Sequence, residues 1–454
     1  MTVHVRSVSR LVLGLAALAL AAVVLAPRAE AQERTLRVPQ DFDTIQAAVD
    51  ASTAGDVVLV DAGEYHEEVF VGPEHAGITI RGVDRNRTVL DGRNELSTAI
   101  EVNGADDVTI ENMTAHDYDG NGFYWQSVDG FLGRYLTAYR IGIYAIFSFD
   151  SANGVFEDSY ASGSADAAYY VGQCNPCNIV LRRLVAEYSA LGYSGTNAGG
   201  NLVLEDSLWQ NNGTGILPNS LTSEEDPPQR QAVIRNNVVK DNSNAETPAH
   251  NLAGSLIGVG IGIAGGNENV VEGNTVTGHD KYGIAIFPLP EPDPIWHPKN
   301  NTVRNNTVED SGLADLTITA LSGEGNCFEG NTFATSDPPG IEEDGAWGCG
   351  GTGLKDVPFP PGNGSPTSAS ALASDLAQNE ADLRERPSYE TMPDAPQQQS
   401  LPAAAGDDGA TEAAPSTPPT PQPASSSLPT TGGGLAALVA GLSLLGSAVR
   451  FRRR

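Results

Sequence analysis

One short phrase returns along most of this chain, and its spacing limits the fold more than any other feature. The phrase runs apolar, polar, then Gly, Asn or Asp, then Asn, Ser or an apolar residue. It reads Ile110-Glu111-Asn112-Met113, Leu132-Gly133-Arg134-Tyr135, Phe156-Glu157-Asp158-Ser159, Leu181-Arg182-Arg183-Leu184 and Leu204-Glu205-Asp206-Ser207. It goes on as Ile234-Arg235-Asn236-Asn237, Val271-Glu272-Gly273-Asn274, Val303-Arg304-Asn305-Asn306 and Phe328-Glu329-Gly330-Asn331. Its fourth positions advance by 22, 24, 25, 23, 30, 37, 32 and 25 residues. About two dozen residues is what three short strands and three turns consume, so each period predicts one coil of a solenoid, hydrogen-bonded to the coils above and below. Alternating residues such as Val203 and Val270 then point inward or outward with period two. The asparagines at one turn, Asn237, Asn274, Asn306 and Asn331, suit a left-handed bend, and each amide can bond the same amide one coil away. A leucine-rich repeat of similar period lacks support, because its leucine spacing and helical segments are missing.

The start of the solenoid carries a second signature. Val38-Pro39, Asp43-Thr44-Ile45-Gln46-Ala47-Ala48-Val49 and Gly55-Asp56-Val57-Val58-Leu59-Val60-Asp61-Ala62-Gly63-Glu64-Tyr65 follow one another. Together with the repeat, this resembles the pectate-lyase-like and pectin-methylesterase-like superfamily over roughly Thr35 to Asn331. The resemblance implies an all-β fold, a right-handed parallel β-helix solenoid, with an N-terminal capping helix whose apolar positions are Ile45, Ala48 and Val49. It specifies the fold and hardly constrains the activity.

Both chain ends read as addresses. Arg6 and Arg10, the apolar Leu11 to Ala26 and Ala29-Glu30-Ala31 have the order of a signal peptide over residues 1–31. Leu428-Pro429-Thr430-Thr431-Gly432, the apolar Leu435 to Val449 and the closing arginines resemble the LPxTG cell-wall sorting signal of Gram-positive bacteria, residues 428–454. That resemblance implies a sortase that joins Thr431 to peptidoglycan, with Leu428, Pro429, Thr431 and Gly432 as attachment residues, the apolar run held transiently as a transmembrane stop, and a cell-wall or cell-surface location. A plain C-terminal membrane anchor is the alternative. Residues 32–350 form the expected β-helix domain. Residues 351–427, rich in Pro, Ala, Ser and Thr, read as a disordered stalk, with room for a short helix near Ala369 to Arg386.

A formal charge of -31 bears on partners. Only Lys240, Lys281, Lys299 and Lys355 are lysines, so nucleic acid, which needs clustered cations against its phosphates, is excluded. An acidic polysaccharide needs a local arginine or a bridging cation such as Ca2+ to offset the field. The four cysteines of an exported chain predict disulfides Cys174–Cys177 and Cys327–Cys349. A redox reading of Cys174-Asn175-Pro176-Cys177 lacks the βαβ context it needs, and no nearby histidine completes a zinc site.

The segments that mark lyases, polygalacturonases and epimerases of this superfold are absent, apart from a faint echo of GHG at Gly278-His279-Asp280, so no family's catalytic residues carry over. Position alone selects Asp117, Tyr139, Arg140 and Asp166, with His279 and Asp280 further along, as catalytic candidates. Coils stack about 4.8 Å apart, which would bring Asp117, Arg140 and Asp166 within one sugar's reach. Arg140 would neutralise a uronate, while Tyr139 and Asp166 would move protons. Tyr124, Tyr144, Tyr169 and Tyr193 occur in four successive coils within phrases such as Gly122-Phe123-Tyr124. Facing outward they would form a substrate-binding aromatic strip, and facing inward a core ladder. The long stretches Pro218 to Gln231 and Pro288 to Asn300 have the length of cleft walls. The leading expectation is a monomeric cell-surface protein that binds a polysaccharide and processes it as a lyase, epimerase or hydrolase. The second is a non-enzymatic adhesin or wall scaffold.

Overall fold

The computed structural model describes residues 34–249, 256–289, 294–319, 322–343, 347–350 and 387–401. The expected signal peptide, the short helix near residues 369–386 and the sorting motif lie outside the described residues. Among the described residues no helix is long and apolar enough to cross a membrane.

Every strand pairing in the two sheets is parallel, and each strand's partner is its counterpart one coil away. Twenty strands form one hydrogen-bonded set and eleven a second. The larger set covers two faces of the coil, and Val108–Tyr118 and Asp129–Ile141 each bend from the first face onto the second. The bend falls at Asn112 and Tyr135, whose φ angles are +61° and +52°. The chain is a right-handed parallel β-helix.

Register shows why the interior is full. On the second face Leu90, Ala115, Ala138, Ala161, Ala186 and Trp209 stack in one inward column. Opposite them, the eleven-stranded sheet sends in Ile100, Phe123, Ile146, Tyr169, Tyr193 and Ile216. Small residues on one wall leave room for wide rings on the other, and where Trp209 appears the opposing Tyr169 and Tyr193 meet it edge-on, at 5.8 and 6.3 Å between centroids. Helix Ile45–Asp50 adds buried Ile45, Ala48 and Val49 to this core, with the Thr44 hydroxyl accepting from the Ala47 amide.

The corners are held by ladders. Asn237, Asn274, Asn306 and Asn331 are bonded amide to amide at 2.9 to 3.0 Å. One detail of the sequence reading is corrected: the left-handed residue is the one before each ladder asparagine, Asn236, Gly273, Asn305 and Gly330. A second ladder links Gln229, Asn269, Asn301 and Asn326.

Register also shifts one repeat unit by a residue. Ile110 pairs with Gly133, not Leu132, and Glu111 with Arg134. Gly133 stands here because a Cβ would meet the rings of Phe156 and Trp125 at 2.9 Å. The outward column of the first face then reads Arg81, Glu111, Arg134, Glu157, Arg182, Glu205, Arg235, Glu272, Arg304, Glu329, alternating in sign at every step. Arg134, Arg182, Arg235 and Arg304 lie 2.5 to 2.7 Å from Glu111, Glu157, Glu205 and Glu272.

Cys174–Cys177 and Cys327–Cys349 are disulfides. Residues 387–401 correct the domain reading, since they belong to the stalk by composition yet dock on the outside of the solenoid with Met392 buried.

Candidate functional site

A cavity of about 500 Å3 opens on the outer side of the second face. Its floor is built by register. Asp91, His116, Tyr139 and Ser162 are direct neighbours in one outward column, with Thr114 and Thr137 in the next column along the strands. The strands then end at a left-handed bend occupied by Asp117, Arg140 and Gly163 in successive coils, at φ +57°, +52° and +64°. Consecutive tenancy of one bend is what brings Asp117 and Arg140 together, although 23 residues separate them.

The resulting cluster is densely paired. Arg140 holds Asp117 with two contacts of 2.6 Å, Nε to Oδ1 and Nη2 to Oδ2. His116 Nδ1 lies 2.6 Å from Asp117 and 3.6 Å from Asp91. The Tyr139 ring stacks on His116 at 4.8 Å, and the Arg140 guanidinium lies over the Tyr139 ring at 4.7 Å. Burial disfavours the Asp117 carboxylate, but hydrogen bonds from Arg140 and His116 outweigh it and hold the carboxyl down to about 2. Burial pushes the Tyr139 hydroxyl up to about 12, with the Arg140 charge opposing, so it stays protonated near neutrality. Asp91, His116 and Asp117 each offer a ligand atom within 4.8 Å of the others, the one such donor set among the described residues. Two carboxylates and an imidazole would suit a divalent cation, but Asp117 is already committed to Arg140.

Asn86 and Arg87 line the cavity on one side, next to Arg85. Arg85 lies on the loop before the strand Thr88–Asp91, and its guanidinium donates to Thr137 Oγ1 at 2.7 Å, to the Asp158 carbonyl at 3.1 Å and to the Leu136 carbonyl. Burial lowers its pKa to about 10, so it remains charged. Ala395, Pro396 and Gln397 close the other side.

The structure sorts the candidates from sequence. Asp117, Tyr139 and Arg140 come together. Asp166 does not join them: it follows the third occupant of the bend by three residues and so lies around the next corner, beside Tyr144 and the loop residue Glu224. There burial, opposed by a hydrogen bond from Tyr144, raises its carboxyl to about 7, and Oδ1 is buried without a partner. His279 is a correction. It is fully buried as the last member of a third ladder, Ser189, Asn212, Asn242, His279, with Nδ1 accepting from the Asn242 amide at 3.3 Å. Desolvation lowers its pKa to about 4, which removes it from acid–base work near neutral pH. Asp280 sits on the surface beyond it, its amide donating to Ser243.

The tyrosine column is corrected too. Tyr124 registers with Phe147 and Tyr170 on the outer side, whereas Tyr169 and Tyr193 register with Phe123 and point into the core. Tyr144 lies in a turn and packs on Phe147 and Tyr170. The outward rings stack on each other, Tyr124 on Phe147 at 3.8 Å, and are nearly fully buried. Loop residue Glu224 accepts from Tyr170 at 3.0 Å, so the Pro218 to Gln231 loop covers this stack. Trp296 of the other long loop donates to Thr222 of this one.

Asp91, His116 and Arg85 were missed from sequence. Asp91 to His116 is 25 residues and His116 to Tyr139 is 23, so the period already in hand would have found the first two. The candidate site lies on the second face, not on the eleven-stranded sheet that carries the Gly122-Phe123-Tyr124 phrase.

A family model for the right-handed β-helix region matches residues 98–287. No curated protein sequence matches the chain. Among solved structures, the chain is similar to the A-module of a mannuronan C-5 epimerase of Azotobacter vinelandii, at TM-score 0.48 and 15% identity over 64% of this chain and 91% of that one. It is similar to an alginate lyase from Paenibacillus sp. str. FPU-7, at 0.43 and 16% over 64% and 99%. A family 28 exopolygalacturonase of Yersinia enterocolitica gives 0.44 and 12% over 67% and 78%. At these identities the likeness concerns the course of the backbone and transfers no residue's role.

Proposed function

We propose that this chain binds a carboxylate-bearing polysaccharide along the outer side of the second face and removes the proton α to a uronate carboxylate there. The observation that carries the reading is that His116 and Tyr139 line one cavity while the Arg140 guanidinium lies over the Tyr139 ring beside it. These are a base, a protonated hydroxyl and a fixed cation, in a chain whose formal charge is -31. Arg140 neutralises the uronate carboxylate, which lowers the barrier to forming the enolate-like intermediate. With Nδ1 engaged by Asp117, His116 acts through Nε2 and takes the C5 proton. In elimination the electron pair forms the C4–C5 double bond, the C4–O bond breaks, and the leaving oxygen receives the Tyr139 proton. In epimerisation C5 instead receives the Tyr139 proton on the opposite side. Asp91 and Asp117 orient the imidazole.

Incubating the mature chain with saturating polyuronates in deuterated buffer separates the possibilities. Elimination yields unsaturated chain ends, and epimerisation yields deuterium at C5. Tyr139→Phe is expected to lower either rate by about 10^2 to 10^4-fold. Binding without product or isotope uptake, on every polyuronate tried, would sink the catalytic reading and leave a non-enzymatic surface module.

A further inference from the structure

The segment 387–401 crosses the candidate site along the helix axis rather than along the strands. Met392 packs over Gly163, where a Cβ would meet the Met392 Cβ at 2.6 Å. Asp394 pairs with Arg140. Ala395, Pro396 and Gln397 wall the cavity that His116 and Tyr139 line. Gln398 exchanges two backbone hydrogen bonds with the Asn86 side chain, at 2.7 and 2.8 Å. The Gln399 carbonyl accepts from Arg85 at 3.1 Å, and the Leu401 amide donates to Asn112 at 2.8 Å.

Three properties make this more than incidental packing. The segment runs across successive coils, the direction a linear polymer would take over this column. It is held by side chains that otherwise have backbone-like partners to offer, Asn86, Asn112 and Arg85. And it places a carboxylate on the very guanidinium assigned above to a uronate. We propose that residues 387–401 are a built-in occupant of the glycan groove, with Asp394 in the seat of a uronate carboxylate, so that the segment and an acidic linear glycan exclude each other. This rests on the polyuronate reading. It makes Arg140 the point of competition, and it makes the accessible site a property of the chain's state rather than a constant.

Two variants release the segment without touching the cavity floor: Met392→Asp with Asp394→Lys, and Gln398→Pro, which removes the amide that bonds Asn86. Amide exchange at Leu401 reports docking, and calorimetry with hexamers of galacturonate, mannuronate and guluronate reports binding. In the unaltered chain the Leu401 amide is expected to be protected and to lose protection when a hexauronate is added. In both variants it is expected to exchange freely, with at least one hexauronate binding about tenfold tighter or better. Equal hexauronate affinity in all three proteins, with Leu401 still protected after ligand addition, overturns the competition and leaves the polyuronate reading standing. Freely exchanging Leu401 in the variants with no hexauronate bound overturns the polyuronate reading, and this proposal with it. A Leu401 amide unprotected in the unaltered chain overturns the docking itself.

Discussion

Burial raises the carboxyl of both Asp117 and Asp166, but Asp117 finds a guanidinium and an imidazole that more than reverse the effect and Asp166 does not. Asp117 is held at about 2 against an ordinary value of 3.8, so its contribution to stability is present above about pH 4 and is lost as pH falls through 2. Asp166 is raised to about 7, so the folded state binds a proton more tightly than the unfolded chain does. Its contribution is full below about pH 4 and is lost as pH rises through 7. Asp166→Asn is therefore expected to raise the unfolding free energy at pH 8 by on the order of 2 kcal/mol, and to flatten its slope between about pH 4 and 7. Asp117→Asn should flatten the acid limb instead. Denaturant titrations across pH read both limbs, and an unchanged alkaline slope in Asp166→Asn would show that this carboxyl is not the buried proton site. The pairing of Asp117 with Arg140 was legible in the sequence because both occupy the same bend one period apart. The isolation of Asp166 was not, because a count along the chain does not show where the coil turns its next corner. His279 was misread for a related reason: a histidine that completes an asparagine ladder looks, in sequence, like any other polar turn residue.

The ladders carry a larger share of stability than their exposure suggests. The Asn274 side chain accepts from the Asn237 backbone amide, donates to the Ile234 carbonyl and joins Asn237 to Asn306. Truncating it leaves several buried backbone and amide groups without partners, each worth about 1 to 3 kcal/mol. Asn274→Ala is expected to cost about 3 to 5 kcal/mol, and Asn274→Leu to be no better, since shape without donors satisfies nothing. Equilibrium unfolding of both variants is the measurement, and a loss below about 1 kcal/mol in either would mean that water replaces the amide. The recurrence of asparagine at this turn was plain in the sequence and its role followed from the chemistry of the amide. Which neighbour took the left-handed conformation was less visible, since Asn236 and Asn237 are the same residue type. The tyrosines were harder. A one-residue slip exchanges the two sides of a strand, and the residues around Tyr144 and Tyr169 do not mark which one sits in the column of Phe123.

For the whole molecule, the period was enough to give the fold, because stacked coils turn a linear spacing into a map of neighbours. What the map lacked was the return of residues 387–401 to the first coils, a contact between positions some three hundred residues apart that no periodicity encodes. The alternating column from Arg81 to Glu329 has a consequence of its own. Sign reverses at each step, so the smallest unit that can be removed without disturbing the pattern is two coils, not one. Excising the coil of Glu205 would set Arg182 against Arg235, whereas excising the coils of Glu205 and Arg235 together would set Arg182 against Glu272. Recharging one arginine at the faulty junction merely moves the fault one step along, as with a misplaced link in an antiferromagnetic chain. The odd deletion is thus expected to unfold at lower urea than the even one, by about 1 kcal/mol, despite retaining more of the solenoid. On this face the coils are counted in twos, and growth or loss of the solenoid there is a matter of parity.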